Sequence, residues 1–180
     1  PCRVERLERL SRDVMGVYLK LPSVEPFVFL AGQYLDILLA DGRRRSFSIA
    51  SPPSRGAPLE LHVRRVPGGS FTAFVFEELK ERALLRMEGP LGGFFLREDG
   101  GEPIVMVAGG TGLAPLQSML EEGVLSGLER PVHLYWGVRT HSDLYAAERI
   151  SRWQKSLESF RYTPVLSEPG EDWNGRTGWV

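Results

Sequence analysis

The chain has 180 residues, 42% hydrophobic and 25% charged, with a formal net charge of −1. That profile belongs to a globular protein with a real core; it excludes a disordered chain and argues against a nucleic-acid surface, since the one basic run, Arg43-Arg44-Arg45, is short. A single cysteine, Cys2, excludes a disulfide framework, a zinc cluster or an iron–sulfur cluster built within the chain, and fits a reducing, cytoplasmic setting.

Residues 1–99 read as antiparallel β. Segments 2–10 and 14–21 alternate apolar and polar residues across the polar link Ser11-Arg12-Asp13. Pro22, Pro26 and Gly32 punctuate a loop, and 33–39 is a further strand turned by Asp41-Gly42. The next strand, 45–51, places Ser46, Ser48 and Ala50 on one face and Arg45, Phe47, Ile49 and Ser51 on the other, before Pro52-Pro53 ends the ladder. Small residues beside a fixed cation and an aromatic ring leave room for a flat, phosphorylated ligand. Strand 59–66 sets His62 and Arg64 opposite Leu61 and Val63, and 84–87 is a last short strand before Gly89-Pro90-Leu91-Gly92-Gly93. Six short strands predict a closed six-stranded barrel of Greek-key type, which removes exposed edges. One helix, 71–82, caps it; it follows Gly68-Gly69, and Ser70 or Thr72 is positioned to cap its first turn. Glycines before a helix start leave free backbone N–H groups, an anion site suited to phosphate.

From residue 103 the pattern changes. The uncharged run 103–120 is long enough to raise a membrane span, but Gly109-Gly110-Thr111-Gly112 at its middle makes it strand, loop and helix instead. Residues 104–108 are continuously apolar, as in a strand buried on both faces of a parallel sheet. A helix over 113–125, with Pro115 tolerated in its first turn, is followed by strand 132–137, helix 142–155 and strand 162–166. This alternation predicts a partial, doubly wound, Rossmann-like α/β domain over 103–180, with the glycine loop beyond the carboxyl end of its first strand. His133 and His141 read as strand-edge and loop residues, Trp136 and Trp153 as packing.

The order of these parts resembles the ferredoxin–NADP reductase superfamily, and within it the NAD(P)H-flavin reductase and CDP-6-deoxyglucoseen reductase branch and oxygenase reductase components. The resemblance is carried by Arg45-Ser46-Phe47-Ser48, His62-Val63-Arg64, Gly68-Gly69-Ser70-Phe71-Thr72, Gly89-Pro90-Leu91-Gly92, Val107-Ala108-Gly109-Gly110-Thr111-Gly112-Leu113-Ala114-Pro115, Tyr135-Trp136-Gly137-Val138-Arg139 and Gly175-Arg176-Thr177-Gly178. It implies FAD, with FMN as the alternative, held by Arg45 on a phosphate, Phe47 along the rings and Ser48 as the catalytic hydroxyl near N5. His62, Val63 and Arg64 would run along the flavin, touched largely through backbone, and Gly69, Ser70 and Thr72 would take its phosphates. Many members carry Tyr where Phe47 stands.

In the second half the resemblance implies that Gly110, Thr111 and Gly112 bind the pyrophosphate of NAD(P)H, with Pro115 near the nicotinamide and Gly137, Val138 and Arg139 by the adenosine. Ser167 and Glu168 would meet the adenosine ribose, and an acid there favours NADH over NADPH. The implied chemistry is hydride transfer to flavin and single-electron transfer to an iron–sulfur or oxygenase partner, possible partners including a ferredoxin domain on the same full-length chain. Two alternatives stay open: a reductase that uses flavin as a diffusible substrate, and a non-catalytic flavin-binding electron-transfer or regulatory subunit. The family continues past Gly178 and often precedes Pro1 with a plant-type ferredoxin domain, so truncation is expected at both ends. Flavin binding should then survive better than NADH binding. Neither a nucleic acid nor a membrane is an expected partner.

Overall fold

The computed structural model describes residues 1–22, 26–54, 56–97 and 99–180; part of the proline-punctuated loop after residue 22 lies outside them. Six antiparallel strands form the first half: β1 (Cys2–Arg9), β2 (Val14–Lys20), β3 (Tyr34–Leu38), β4 (Arg44–Ser48), β5 (Leu59–Arg64) and β6 (Leu84–Leu91), in the order β4-β3-β6-β1-β2-β5. The chain after β4 leaves β3 and crosses to β5. Ile49 bridges Leu61 and the Ala50 N–H donates to the Glu60 carbonyl at 2.8 Å, which closes the barrel. Val4, Val17, Leu19, Leu35, Ile37, Ile49, Leu61 and Val63 fill its interior. Burial of this alternating set is the dominant favourable contribution to the half.

Helix α1 (Ser70–Glu77) covers one end of the barrel with Phe71 and Val75. It is shorter than the predicted 71–82. Arg82 N–H donates to the Val4 carbonyl and Val4 N–H to that of Ala83, so pairing with β1 takes these residues out of the helix. Neither Ser70 nor Thr72 caps it; the N-cap is Gly69, without a side-chain bond. The Thr72 hydroxyl instead accepts Val66 N–H at 3.1 Å and lies 3.1 Å from the Gly69 carbonyl, bracing the turn that leads in.

The second half holds a parallel sheet in the order β10-β9-β8-β7, from β7 (Ile104–Gly109), β8 (Val132–Val138), β9 (Phe160–Leu166) and the two-residue β10 (Arg176–Thr177), which the sequence reading missed. Two helices, α2 (Leu113–Ser126) and α3 (Ala147–Ser156), connect them. The sheet is not doubly wound among the described residues. Strand order runs steadily from β7 to β9, so both right-handed crossovers fall on one face. Met106, Leu134, Leu116, Ile150 and Trp153 meet there in one core. Correspondingly, β7 is not buried on both faces: Val105 and Val107 are 66% and 55% exposed. The predicted helix 142–155 begins only at Ala147; residues 141–143 form a 3₁₀ turn closed by a capping box between Thr140 and Asp143.

The two halves are joined by polar contacts to backbone. On α2, Gln117 Nε2 donates to the Ala50 carbonyl at 3.2 Å and Ser118 Oγ to the Ser51 carbonyl at 2.7 Å, with both side chains fully buried. Ala50 and Ser51 have left the ladder of β3, so their carbonyls are free to accept. Among the described residues no helix is long and apolar enough to cross a membrane.

Candidate functional site

A cleft of about 590 Å³ opens between β4, the C-terminal end of β5, the start of α1 and the glycine turn after β7. It brings together Arg45, Phe47, Ser48, His62, Arg64, Gly69, Ser70 and Thr72, residues the sequence singles out, and joins them to Thr111 and Gly112 of the second half. Val63 does not share it: that side chain is buried in the barrel core. Phe47 sits against Phe71, ring centroids 5.6 Å apart, and the pair forms an aromatic wall.

Charge in the cleft is selective. Arg43 pairs with Asp41 at 2.6 Å, and Arg44 with Glu88 at 2.6 Å and Asp36 at 3.7 Å. Arg45 donates only to the Arg44 carbonyl, and among the described residues no carboxylate neutralises it. A guanidinium without a carboxylate partner, beside a glycine-led helix start and in the same cleft as Arg64, suits a phosphate. The Ser48 hydroxyl has no intramolecular hydrogen bond among the described residues, so it is available to a ligand.

A second cleft, of about 250 Å³, lies across the carboxyl ends of β7 and β8 and includes Gly110, Thr111, Gly137, Arg139 and Ser167. The loop after β7 forms a 3₁₀ turn, Gly110–Gly112, that runs directly into α2. Gly110 takes a left-handed φ of 53°, which only glycine adopts without cost. A Cβ added at Gly109, Gly110 or Gly112 would meet nothing within 4 Å, so the backbone faces open space where a ligand's phosphates can approach. Thr111 lines both clefts. Pro115 lies in the first turn of α2, where Ala114, not Pro115, reaches the first cleft.

Between the clefts runs a buried polar cluster that sequence reasoning missed apart from His62. Glu60 and His62 are 3% and 4% exposed and share the face of β5 that turns toward the second half. His62 Nε2 is 2.9 Å from Glu60 Oε1, and Arg149 of α3 donates to both Glu60 oxygens at 3.0 and 2.9 Å. Burial pushes the Glu60 carboxyl up, but the His62 hydrogen bond and the Arg149 charge outweigh it and hold the group below its ordinary value. A neutral His62 that donates to Glu60 accepts at Nδ1 from the Tyr145 hydroxyl, 3.0 Å away. Burial, with Glu60 nearby, pushes the Tyr145 phenol above its ordinary value and keeps it a donor. Tyr145 packs edge-on to Trp136, whose Nε1 donates to the Gly110 carbonyl at 2.8 Å. One chain of contacts thus links the strand behind the first cleft to the glycine turn of the second. A sequence signal existed: Glu60 alternates in phase with His62 against Leu59, Leu61 and Val63.

Comparison with known proteins identifies both halves of the chain. The family described as "Oxidoreductase FAD-binding domain" matches residues 1–96, and "Oxidoreductase NAD-binding domain" matches 106–180. The chain is 42% identical to a Yersinia pestis CDP-6-deoxy-L-threo-D-glycero-4-hexulose-3-dehydrase reductase, over 100% of this chain and 54% of that protein. It is 41% identical to reductase component 1 of a Comamonas terephthalate 1,2-dioxygenase, over 88% of this chain and 47% of the relative. Among solved structures, an Amycolatopsis cytochrome P450 reductase superposes with a TM-score of 0.90 at 38% identity, covering 99% of this chain and 54% of that one. The chain spans about half the length of the curated relatives it matches. By its barrel, its parallel sheet and these matches, the chain belongs to the FAD- and NAD-binding oxidoreductases of the ferredoxin–NADP reductase superfamily.

Proposed function

We propose that the chain is the flavin- and nicotinamide-binding part of an NAD(P)H-dependent reductase, with FAD held by residues 1–99 and the nucleotide by 103–180. The observation that carries this reading is the meeting of the two clefts at Thr111: one is walled by Arg45, Arg64 and an aromatic pair, the other by an open glycine turn. Two flat, phosphorylated ligands laid in them would have their reactive rings near that residue. Flavin, when bound, supplies hydride acceptance and one-electron release, chemistry that no side chain here provides.

The chain's own groups bind, orient and shield. Arg45 neutralises a flavin phosphate, with Gly69, Ser70 and Thr72 at the start of α1 completing that end. Phe47 supports the ring system, and Ser48 offers a hydroxyl that can donate or accept as the flavin gains and loses a proton. His62 and Arg64 border the same groove, and Val63 contributes backbone only. Gly110, Thr111 and Gly112 would hold the nucleotide's pyrophosphate; Pro115 fixes the first turn of α2, near which the nicotinamide would lie. Gly137, Arg139 and Ser167 lie along the adenosine. Glu168 repels a 2′-phosphate, which favours NADH over NADPH.

The electrons pass to an iron–sulfur or oxygenase partner. Relatives named as the reductase of a dehydrase and of a dioxygenase support an acceptor of that kind. We place the protein in the cytoplasm, in keeping with its lone buried Cys2.

The test is the visible absorption spectrum of the purified protein before and after anaerobic addition of NADH. Flavin bands that co-elute with the protein and bleach with NADH are expected. A colourless protein that takes up no added flavin would sink the proposal. Bound flavin that NADH leaves unbleached would overturn its hydride-transfer half.

A further inference from the structure

The adenosine end of the second cleft is not built by the α/β half alone. Arg139 follows the carboxyl end of β8, and its Nη2 donates at 3.1 Å to Oδ2 of Asp13, which stands in the turn between β1 and β2 of the barrel. This ion pair crosses the groove between the two halves. Both residues line the cavity that holds Gly110, Thr111 and Ser167, and both line a larger one of about 820 Å³ that continues past it to Glu168.

Asp13 is held in place. Ser11 Oγ lies 3.3 Å from its Oδ1, and its carbonyl accepts Arg65 N–H at 2.7 Å. Glu168 is fixed beside the pair, since its N–H donates to the Arg139 carbonyl at 2.8 Å. The other charges of the groove are partly committed elsewhere: Asp143 to the capping box at Thr140, Arg65 to Glu77, and Arg9 over the Phe76 ring. Arg12 and Arg64 remain as positive charge that serves any phosphate. Arg139 differs from them by its place. In dinucleotide-binding α/β sheets an arginine close to the acidic residue at the ribose accommodates a 2′-phosphate, and Arg139 stands beside Glu168.

We propose that Asp13, a barrel residue, is a determinant of coenzyme choice. It occupies the Arg139 guanidinium and sets a carboxylate where a 2′-phosphate would have to lie. The dinucleotide without that phosphate leaves the pair intact, whereas the phosphorylated one must displace Asp13 and meet both its charge and that of Glu168. Selectivity is thereby written partly in the flavin-side half. The inference rests on the adenosine placement proposed above.

The probes are 5′-AMP and 2′,5′-ADP, which differ only by the discriminating phosphate, titrated calorimetrically into the whole chain. Wild-type protein should gain nothing from the extra phosphate. Asp13→Asn should raise the affinity for 2′,5′-ADP about tenfold, the worth of one new charge-assisted hydrogen bond, and change 5′-AMP by less than about twofold. The gain should vanish in Asp13→Asn/Arg139→Gln. Asp13→Ser provides the same comparison if the asparagine variant folds poorly. Equal gains for both nucleotides, or a gain that survives loss of Arg139, would overturn the proposal. Binding of 5′-AMP with an unchanged preference in Asp13→Asn overturns this inference alone; wild-type protein that binds neither nucleotide overturns the adenosine placement with it.

Discussion

At the scale of single residues, the barrel-side cleft depends on which arginine is left without a partner. Arg43, Arg44 and Arg45 are adjacent in sequence and chemically alike, yet carboxylates take up the first two and leave the third. Arg45→Gln should therefore weaken flavin binding by roughly ten- to a hundredfold, the value of a charge-assisted hydrogen bond, as read by titration of flavin fluorescence. The melting temperature without flavin should hardly move, because no ion pair is lost. Glu60 is the opposite case. Glu60→Gln removes the shorter of two carboxylate contacts of Arg149, which is 30% exposed and stays 3.6 Å from Glu121, and losing a hydrogen bond to a charged group costs about 1.5–3 kcal/mol. The same group governs acid behaviour. Its folded pKa is depressed, so its stabilisation is fully present above the ordinary value of 4.5 and is lost as pH falls through the lower folded value. Wild-type melting temperature should fall across that acidic window, with a flatter profile for Glu60→Gln. An unchanged profile would remove Glu60 from the account.

Elements tell how glycine positions divide between folding and binding. Gly32 has φ of 106°, and a Cβ there would meet the Phe94 carbonyl oxygen and the Met119 methyl of α2. Gly32→Ala should cost about 1–3 kcal/mol, as overpacking does, read by chemical denaturation. Gly109 is extended, with φ of −105°, and a Cβ there would meet nothing within 4 Å. Gly109→Ala should leave stability unchanged or raise it by about 0.5 kcal/mol, yet lower nucleotide affinity by filling the cradle. An alanine variant that binds NAD⁺ as well as wild type would place the phosphates elsewhere. The glycine turn was legible in the sequence because a break after an apolar strand has few physical readings. The six barrel strands were legible by alternation, and Arg45, Phe47, Ser48 and Thr111 by their place on those elements. The face of a β-strand against which helices pack was not: 104–108 is apolar throughout, and only the steady strand order assigns both helices to one side. The end of α1 was hidden as well, since helical spacing through Arg82 competes with pairing to Val4, and pairing wins. Glu60 went unremarked because burial of its charge depends on Arg149, a residue remote in the chain and brought near only by the fold.

At the scale of the molecule, the barrel and the sheet are held by directional polar contacts: Gln117 and Ser118 to the backbone after β4, Arg149 to Glu60, and Tyr145 to His62. Separating the halves would break these contacts together, so the halves should unfold together, as one calorimetric transition with matching calorimetric and van't Hoff enthalpies. Two resolved transitions would show that the junction is weaker than its hydrogen bonds suggest. The indole of Trp136 adds something of practical use. It is fully buried, edge-on to Tyr145, and tethered to the carbonyl of Gly110. Trp179 at the other extreme is 88% exposed. Buried and exposed indoles emit at different wavelengths, and iodide in solution quenches only the latter. With the exposed emission quenched, the blue component that remains reports in part on the glycine turn. The protein therefore carries its own optical probe at the loop where its nucleotide is proposed to bind, and occupancy there can be followed without any label.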